Sequence, residues 1–352
     1  MSEKAKTKTK TKTKTSLRDQ FGDWWDGSEM WERALFRIVV IGFFYLLPFL
    51  DNPILGTPQT DFPSVLFYPL AVFALLAVGL NIVVGKSGIL DLGYVAFFAI
   101  GAYAQALMGT RLHTNFFINM IVGMLVAMLA GVALGLPALR LRGDYLAIIT
   151  LGFGEIIRIV ANNVDQIGGP GGIPAIPPPP TIFGMKFGVT DPRPFYWLTI
   201  TVLLVVIWGF LRIAHRRPGR AWEAIREDED VAEFMGVATT RYKLWAFVLG
   251  GAIGGAGGAI YASQITSILP ENFKLNLSIM ILATVVFGGM GNIWGVMLGA
   301  VILGYLPEKL RFLSETRILF FGLMMIIMMN IRPEGLSPRK KREKFDAKVT
   351  GE

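Results

Sequence analysis

The sequence predicts an all-α fold, a polytopic membrane helix bundle of about ten transmembrane segments with both termini cytoplasmic. Three observations carry that expectation. Hydrophobic residues make up 53% of the 352-residue chain against 17% charged, and mean hydropathy is +0.51, outside the range of an ordinary globular domain. Near-continuous apolar runs recur along the chain, several matching the roughly 20 residues that a helix needs to cross hydrocarbon. Lys and Arg are concentrated on alternate connections between those runs.

Residues 1–33 open with the alternation KAKTKTKTKTKTKTS, which has nothing to bury and reads as a disordered, basic cytoplasmic tail against anionic lipid. The same segment carries Trp24, Trp25 and Trp31, whose amphipathic rings suit the headgroup layer. No short apolar run ends in a small-residue cleavage site, so no removable signal peptide is expected. The transmembrane domain is expected over 34–331, with apolar runs at about 34–50, 65–84, 89–108, 116–137, 144–162, 196–214, 244–264, 276–290, 292–306 and 318–331. The runs near 88–103 and 278–305 are short and Gly-rich, which suits broken or re-entrant helices covered by protein or facing a water cavity. If they do not cross, the count falls to about eight. Residues 332–352 form a second basic cytoplasmic tail.

Orientation follows from charge. With ten alternating helices and the N-terminus inside, the cytoplasmic segments hold 26 of the 34 Lys and Arg, the external ones hold 7, and Arg158 lies within a span. This is the positive-inside asymmetry. The net charge of +8 is thereby a topology signal and an attraction to membrane lipid, and it calls for no nucleic-acid partner.

The chain has no Cys and only two His, His113 and His215, which leaves no support for disulfides, thiolate chemistry, a zinc set or a Ser-His pair. No catalytic residue, metal or cofactor is expected. GLNIVVGKSG at 79–88 imitates a phosphate-binding loop, but Leu80 stands where the first Gly is required and the flanks are apolar spans.

Polar residues inside the spans are candidates for a substrate pathway. Glu155 and Arg158, three apart on one helix face, can pair with each other. They suit either a structural salt bridge within the bundle, the plainer reading, or the steering of a zwitterion. Asn81, Asp91 and Asn162 are further candidates, with helix capping and irregular backbone as the plainer roles. GGAIGGAGGAIYAS at 250–263 places small residues at 250, 254, 258 and 262, a stripe suited to close helix packing. GGPGGI at 168–173 reads as an external turn.

The cytoplasmic connection 212–243 is the outlier among short loops. Within it, Pro218 and Gly219 break the exit of the preceding span, and the stretch GRAWEAIREDEDVAEFMGV at 219–237 has acids at 227–230 suited to a helix N-terminus and Gly236 as a stop. Trp222, Ile225, Ala232, Phe234 and Met235 are apolar residues set among charges, a mixture that suits docking onto another protein. The plain alternative is a solvated connector packed on its own bundle.

Three blocks in order, GLNIVVGKSGILDLGYVAFFAIGAYAQAL at 79–107, GDYLAIITLGFGEIIRIVANN at 143–163 and GRAWEAIREDEDVAEFMGVATTRYKLWAF at 219–247, resemble the permease of branched-chain amino-acid ABC transporters of the LivM type. Importers of this class carry a cytoplasmic Glu-Ala-Ala, three residues, then Gly. Asp230, Val231, Ala232 and Gly236 are similar, and the later Pro of that pattern is absent from 239–244. The resemblance implies an ATPase-coupling helix at 228–236 that uses Trp222, Ile225, Asp230, Ala232, Phe234, Met235 and Gly236. It also implies a second homologous permease chain, two ATPase subunits that hydrolyse the nucleotide, an extracellular or periplasmic amino-acid-binding protein, and a place in the bacterial inner membrane. A urea or short-amide permease of the same superfamily, and an ATP-independent secondary transporter, are the competing functions.

The Cys-free background makes the topology testable. A single Cys placed at 228 is expected to resist an impermeant maleimide in sealed cells, and one placed at 178 to react. The reverse pattern would invert the orientation.

Overall fold

A computed structural model of the chain describes residues 30–50, 61–138, 141, 143–181, 184–188, 190–309, 317–332 and 335–337. The Lys/Thr alternation, Trp24, Trp25 and most of the second basic tail lie outside the described residues. The chain divides into two units, 1–50 and 51–352. In the first, helix α1 (Met30–Leu46) runs into a tight turn at Leu47–Phe49 and exposes apolar residues such as Ile38, Val39 and Phe43.

The second unit contains α2 (Phe62–Lys86), α3 (Val95–Arg111), α4 (Phe116–Ala138), α5 (Asp144–Asn163), α6 (Arg193–Ala214), α7 (Arg217–Glu227), α8 (Glu229–Phe234), α9 (Thr239–Ile265), α10 (Leu275–Gly288), α11 (Ile293–Lys309) and α12 (Arg317–Ile331). No named strand occurs among the described residues, and Ile173 and Ile268 form an isolated antiparallel bridge.

Six segments are long and apolar enough to cross a membrane: α2, α4, α5, α6, α9 and the turn-plus-helix Pro270–Gly288. The apolar runs alone suggest about ten. The difference is one of length. Residues 87–94 leave the helix, so α3 keeps 17 residues of its run, and the break at 289–292 leaves α11 with 17. At 1.5 Å per residue such a helix covers about 26 Å, short of the ~30 Å hydrocarbon core. Helix α12 has 15 residues.

Helices α2 and α9 form the centre: 89% and 78% of their apolar windows are buried, against 28% for α4, α5 and α6. Helix α2 is apolar all round, as a central helix must be. Its hydrogen-bond ladder is kinked at Tyr68, whose φ of −130° and ψ of 121° are extended, just before Pro69, and it widens to π geometry at Asn81–Lys86. Such widenings are often found at functional sites.

Helix α9 owes its position to glycine. Gly250, Gly254 and Gly258 meet Tyr94, Phe97 and Phe98 at the start of α3, and Gly251 and Gly255 meet the backbone of α4 at Ala127 and Gly123. The stripe legible in the sequence is therefore half of a two-sided device, each side admitting one neighbouring backbone. A Cβ on Gly258 would lie 2.0 Å from the carbonyl oxygen of Phe98, and one on Gly101 would lie 2.0 Å from that of Gly255. Tyr94 locks the arrangement by donating its hydroxyl to the Gly250 carbonyl at 2.8 Å. The GGPGGI segment folds into two short turns, with Gly168 and Gly172 at positive φ.

Because backbone rather than a side-chain tip opposes Gly258, Gly258→Val is expected to cost more than the usual ~1–3 kcal/mol of overpacking and to abolish the monodisperse folded chain. Gly209, with open space around it, should accept Ala almost silently. Thermal unfolding of the two purified variants in detergent compares them.

Candidate functional site

The connection after α6 folds as two helices, where the sequence suggests one helix at 228–236. Pro218 lies in the first turn of α7, and Asp228, in extended conformation, interrupts the path between α7 and α8. The Asp228 carboxylate then accepts from the Val231 amide at 3.0 Å, an N-cap worth about 1 kcal/mol. At the other end Gly236 takes φ +84°. The Val237 amide reaches the Ala232 carbonyl at 3.0 Å and the Gly236 amide the Glu233 carbonyl at 2.9 Å, a Schellman closure.

The apolar residues of this loop divide into two sets. Trp222, Ile225 and Ala232 are turned into the chain itself, and the Trp222 indole donates to the Tyr242 carbonyl at 2.7 Å. Phe234 and Met235, by contrast, are 89% and 80% exposed and Val231 is 56% exposed, with Asp230 and Gly236 also on the open side. Trp222 and Ile225 therefore hold the loop down, and the open apolar surface is Val231, Phe234 and Met235. The ion pair of Lys243 with Glu229, at 2.5 Å, fixes α8 to the start of α9.

Helix α7 is fixed to the membrane core at two further points. Lys86, in the last turn of α2, pairs with Glu223 at 3.2 Å. Arg226 donates through Nη1 to the carbonyls of Gly85 at 2.5 Å and Met290 at 3.4 Å. Gly85 closes α2 and Met290 follows α10, so one guanidinium faces both helix interruptions.

Those interruptions also bond to each other. The Asn81 side-chain oxygen accepts from the Gly291 amide at 2.8 Å across 210 residues of sequence. In the first interruption, the amides of Ser87 and Ile89 return to Ile82 and Val83, that of Leu92 bonds the Thr150 hydroxyl at 3.0 Å, and that of Gly93 bonds Asp91 at 2.9 Å. In the second, the amides of Leu336 and Ser337 bond the carbonyls of Phe287 and Gly288, and the Asn292 amide group donates to the Ser337 carbonyl and hydroxyl, both at 2.9 Å.

The pathway candidates fall in three places. Asn81, in the widened last turns of α2, and Asp91, in the first interruption, are fully buried, and each keeps one side-chain atom, Nδ2 and Oδ2 respectively, without a hydrogen-bond partner among the described residues. Glu155 and Arg158 pair at 2.5 Å on α5, and Arg158 extends to Glu271 at 3.6 Å. Their side chains are 40% and 23% exposed, so the pair belongs to a surface network and does not meet Asn81 or Asp91 in one cluster. Asn162 is half-buried at the end of α5.

Sequence reasoning missed Arg226, Lys86 and Glu223, whose partners lie 64 to 141 residues away. A lone Lys in the last turn of an apolar helix is the one signal that could have prompted a search for an acid. It also missed a ring cluster formed by Tyr68, Phe98, Tyr103, Tyr261 and Phe273. No three His, Cys, Asp or Glu come together as a metal site among the described residues.

Residues 64–329 match the family model described as the branched-chain amino acid transport system / permease component. Among curated proteins, the high-affinity branched-chain amino acid transport system permease protein LivM of Salmonella typhimurium is 43% identical over 76% of this chain and 68% of its own length, and that of Escherichia coli is 42% identical over the same shares. The LivH permease of the Salmonella system is 24% identical over 78% of this chain and 94% of its own. No solved structure matches. With the family model matching residues 64–329, a range that holds both helix interruptions and the loop, and with LivM relatives at 42–43% identity over 76% of the chain, the chain belongs to the branched-chain amino acid transport permease family.

Proposed function

We propose that this chain is the transmembrane permease subunit of an ATP-driven importer for branched-chain amino acids, seated in the bacterial inner membrane. It pairs with a second, LivH-like permease, takes substrate from an extracellular binding protein, and is driven by two ATPase subunits that dock on the loop 212–243. The 26-to-7 division of basic residues favours cytoplasmic termini and a cytoplasmic loop. Ten crossings, with the short helices α1, α3, α11 and α12 completing the six longer ones, is the count consistent with that division. The family match favours this reading over a urea permease, and a built cytoplasmic loop has no use in an ATP-independent carrier.

The observation that carries the proposal is the exposure of Phe234 and Met235 on a short, capped helix whose base is buried and ion-paired. Water should not face such residues, and a partner groove would cover them. Movement of a docked helix reaches the spans because the loop is packed on them as a rigid element. On the substrate side, the amide Nδ2 of Asn81 is a buried donor and Oδ2 of Asp91 a buried acceptor.

Buried interface anchors commonly cost about 2 kcal/mol or more on truncation, while rim charges cost little. The double variant Phe234→Asp/Met235→Asp is therefore expected to lose uptake and ATPase association by at least about thirtyfold at equal permease abundance. Gly236→Val should do the same, because valine meets positive φ there although a Cβ has open space. Glu227→Gln is expected to be mild. Uptake of labelled leucine and ATPase co-purification decide the matter. Full uptake with ATPases still bound in the first two variants would leave the loop as a solvated connector.

A further inference from the structure

We infer that Arg226 is the positioning residue that joins the docking loop to the transport pathway, holding the inner ends of α2 and α10 to α7 so that the three move as one body. The inference rests on the importer reading and goes beyond it by naming the mechanical link.

The geometry around this side chain is that of a pin in a socket. Its Nη1 reaches carbonyls on two segments that the sequence places 205 residues apart, Gly85 and Met290. The Gly85 carbonyl lies in the last turn of α2, where the backbone lacks intrahelical donors and the helix dipole favours a cation, and that of Met290 lies in the turn that follows α10. The socket is glycine-walled. A Cβ on Gly88 would sit 3.0 to 3.3 Å from the Arg226 stem, and one on Gly291 would sit 2.7 Å from Nη1 and 2.8 Å from the Gly85 oxygen. Both glycines adopt positive φ, +73° and +86°, so the chain turns away at the two points where the guanidinium must enter. The same Gly291 gives its amide to Asn81. A displacement of Arg226 is thereby handed to Asn81 through one residue.

Three other contacts make the link stiff. Lys86 and Glu223 form a second tie between α2 and α7, one turn of α7 from Arg226. Gly219 sits so close to the end of α6 that a Cβ would lie 2.2 Å from the Ala214 carbonyl oxygen. Trp222 fastens the other side of α7 to α9. The docking helix α8 thus stands on a base with no slack toward the interruptions. Lysine cannot replace the function fully, since the rotatable ammonium on its flexible stem does not hold N–H groups in fixed directions as the planar guanidinium does at Nη1.

Two readouts test the link. In the reconstituted complex, Arg226→Met is expected to keep its ATPases at the wild-type ratio and to hydrolyse ATP, while labelled leucine taken up per ATP falls at least about tenfold, the scale of a lost charge-assisted hydrogen bond. Arg226→Lys should recover part of it. Unchanged uptake per ATP in Arg226→Met, or a loss explained wholly by missing ATPases, would overturn the pin. The second readout needs no transport. Nitroxide labels on Cys introduced at exposed Arg220 of α7 and exposed Trp294 of α11 should give one narrow distance in the single chain in lipid nanodiscs, broadened by Arg226→Met and narrowed again by Arg226→Lys. Equal distributions in all three would refute the pin even if the importer reading stands. Absence of ATP-driven leucine uptake by the wild-type complex would refute the importer reading instead, leaving the label distances to judge the pin.

Discussion

A helix that stops in a packed interior leaves its last carbonyls, and the next helix its first amides, with no water to bond, at several kcal/mol for each unsatisfied group. This chain stops twice inside its bundle, at 87–94 and at 289–292. Much of its polar side-chain inventory answers that constraint. Thr150, Asp91 and Asn81 accept from the stranded amides of Leu92, Gly93 and Gly291, and Arg226 donates to the stranded carbonyls of Gly85 and Met290. The segment 335–337 seals the remaining carbonyls of α10. Function grows from the same solution. Because Arg226 reaches both breaks, the loop proposed to meet the ATPases is tied directly to the polar residues around them.

Such wiring needs a frame that does not yield. Glycine supplies it by removing side chains from the seams of α9 with α3 and α4, so that backbones rest on backbones. A core of this kind resists compression and moves in blocks, which is the behaviour expected of an element that transmits displacement. The outer helices α4, α5 and α6 show the complementary pattern, with apolar residues such as Leu129, Ile148 and Val205 exposed as lipid or a second permease would require. The ionic network of Glu155, Arg158, Glu271 and Lys274 lies on this outer ring, tying α5 to the turn before α10.

What the sequence disclosed was local, and what it hid was long-range. Helix identity, the Gly stripe at 250–258, the turn at 168–173 and the Gly236 stop depend on neighbours within a few residues, and each was legible. The 228–236 helix was legible too, but its separation from α7 at Asp228 was not, because an acid in a run of acids does not announce which one caps. The exposed pair Phe234 and Met235 and the buried pair Trp222 and Ile225 look alike in a hydropathy reading, and only tertiary packing sorts anchors for a partner from anchors for the chain itself. Arg226 was passed over for the same reason. Its meaning lies in Gly85 and Met290, and no periodicity links the three. Six segments are long enough to cross where the apolar runs suggest about ten, because the run from 89 is helical only from Val95 and the residues 289–292, where two runs meet, are not helical.

The account stands on the two interruptions being closed by their own side chains and by Arg226. Hydrogen exchange followed by mass spectrometry on the nucleotide-free complex in nanodiscs measures this directly. Peptides covering 85–94 and 288–293 should exchange almost as slowly as the centre of α9, since their bonded amides open only with the core. Rapid exchange at both interruptions, with α9 protected, would show that water and not the loop satisfies the broken helices, and would contradict the account.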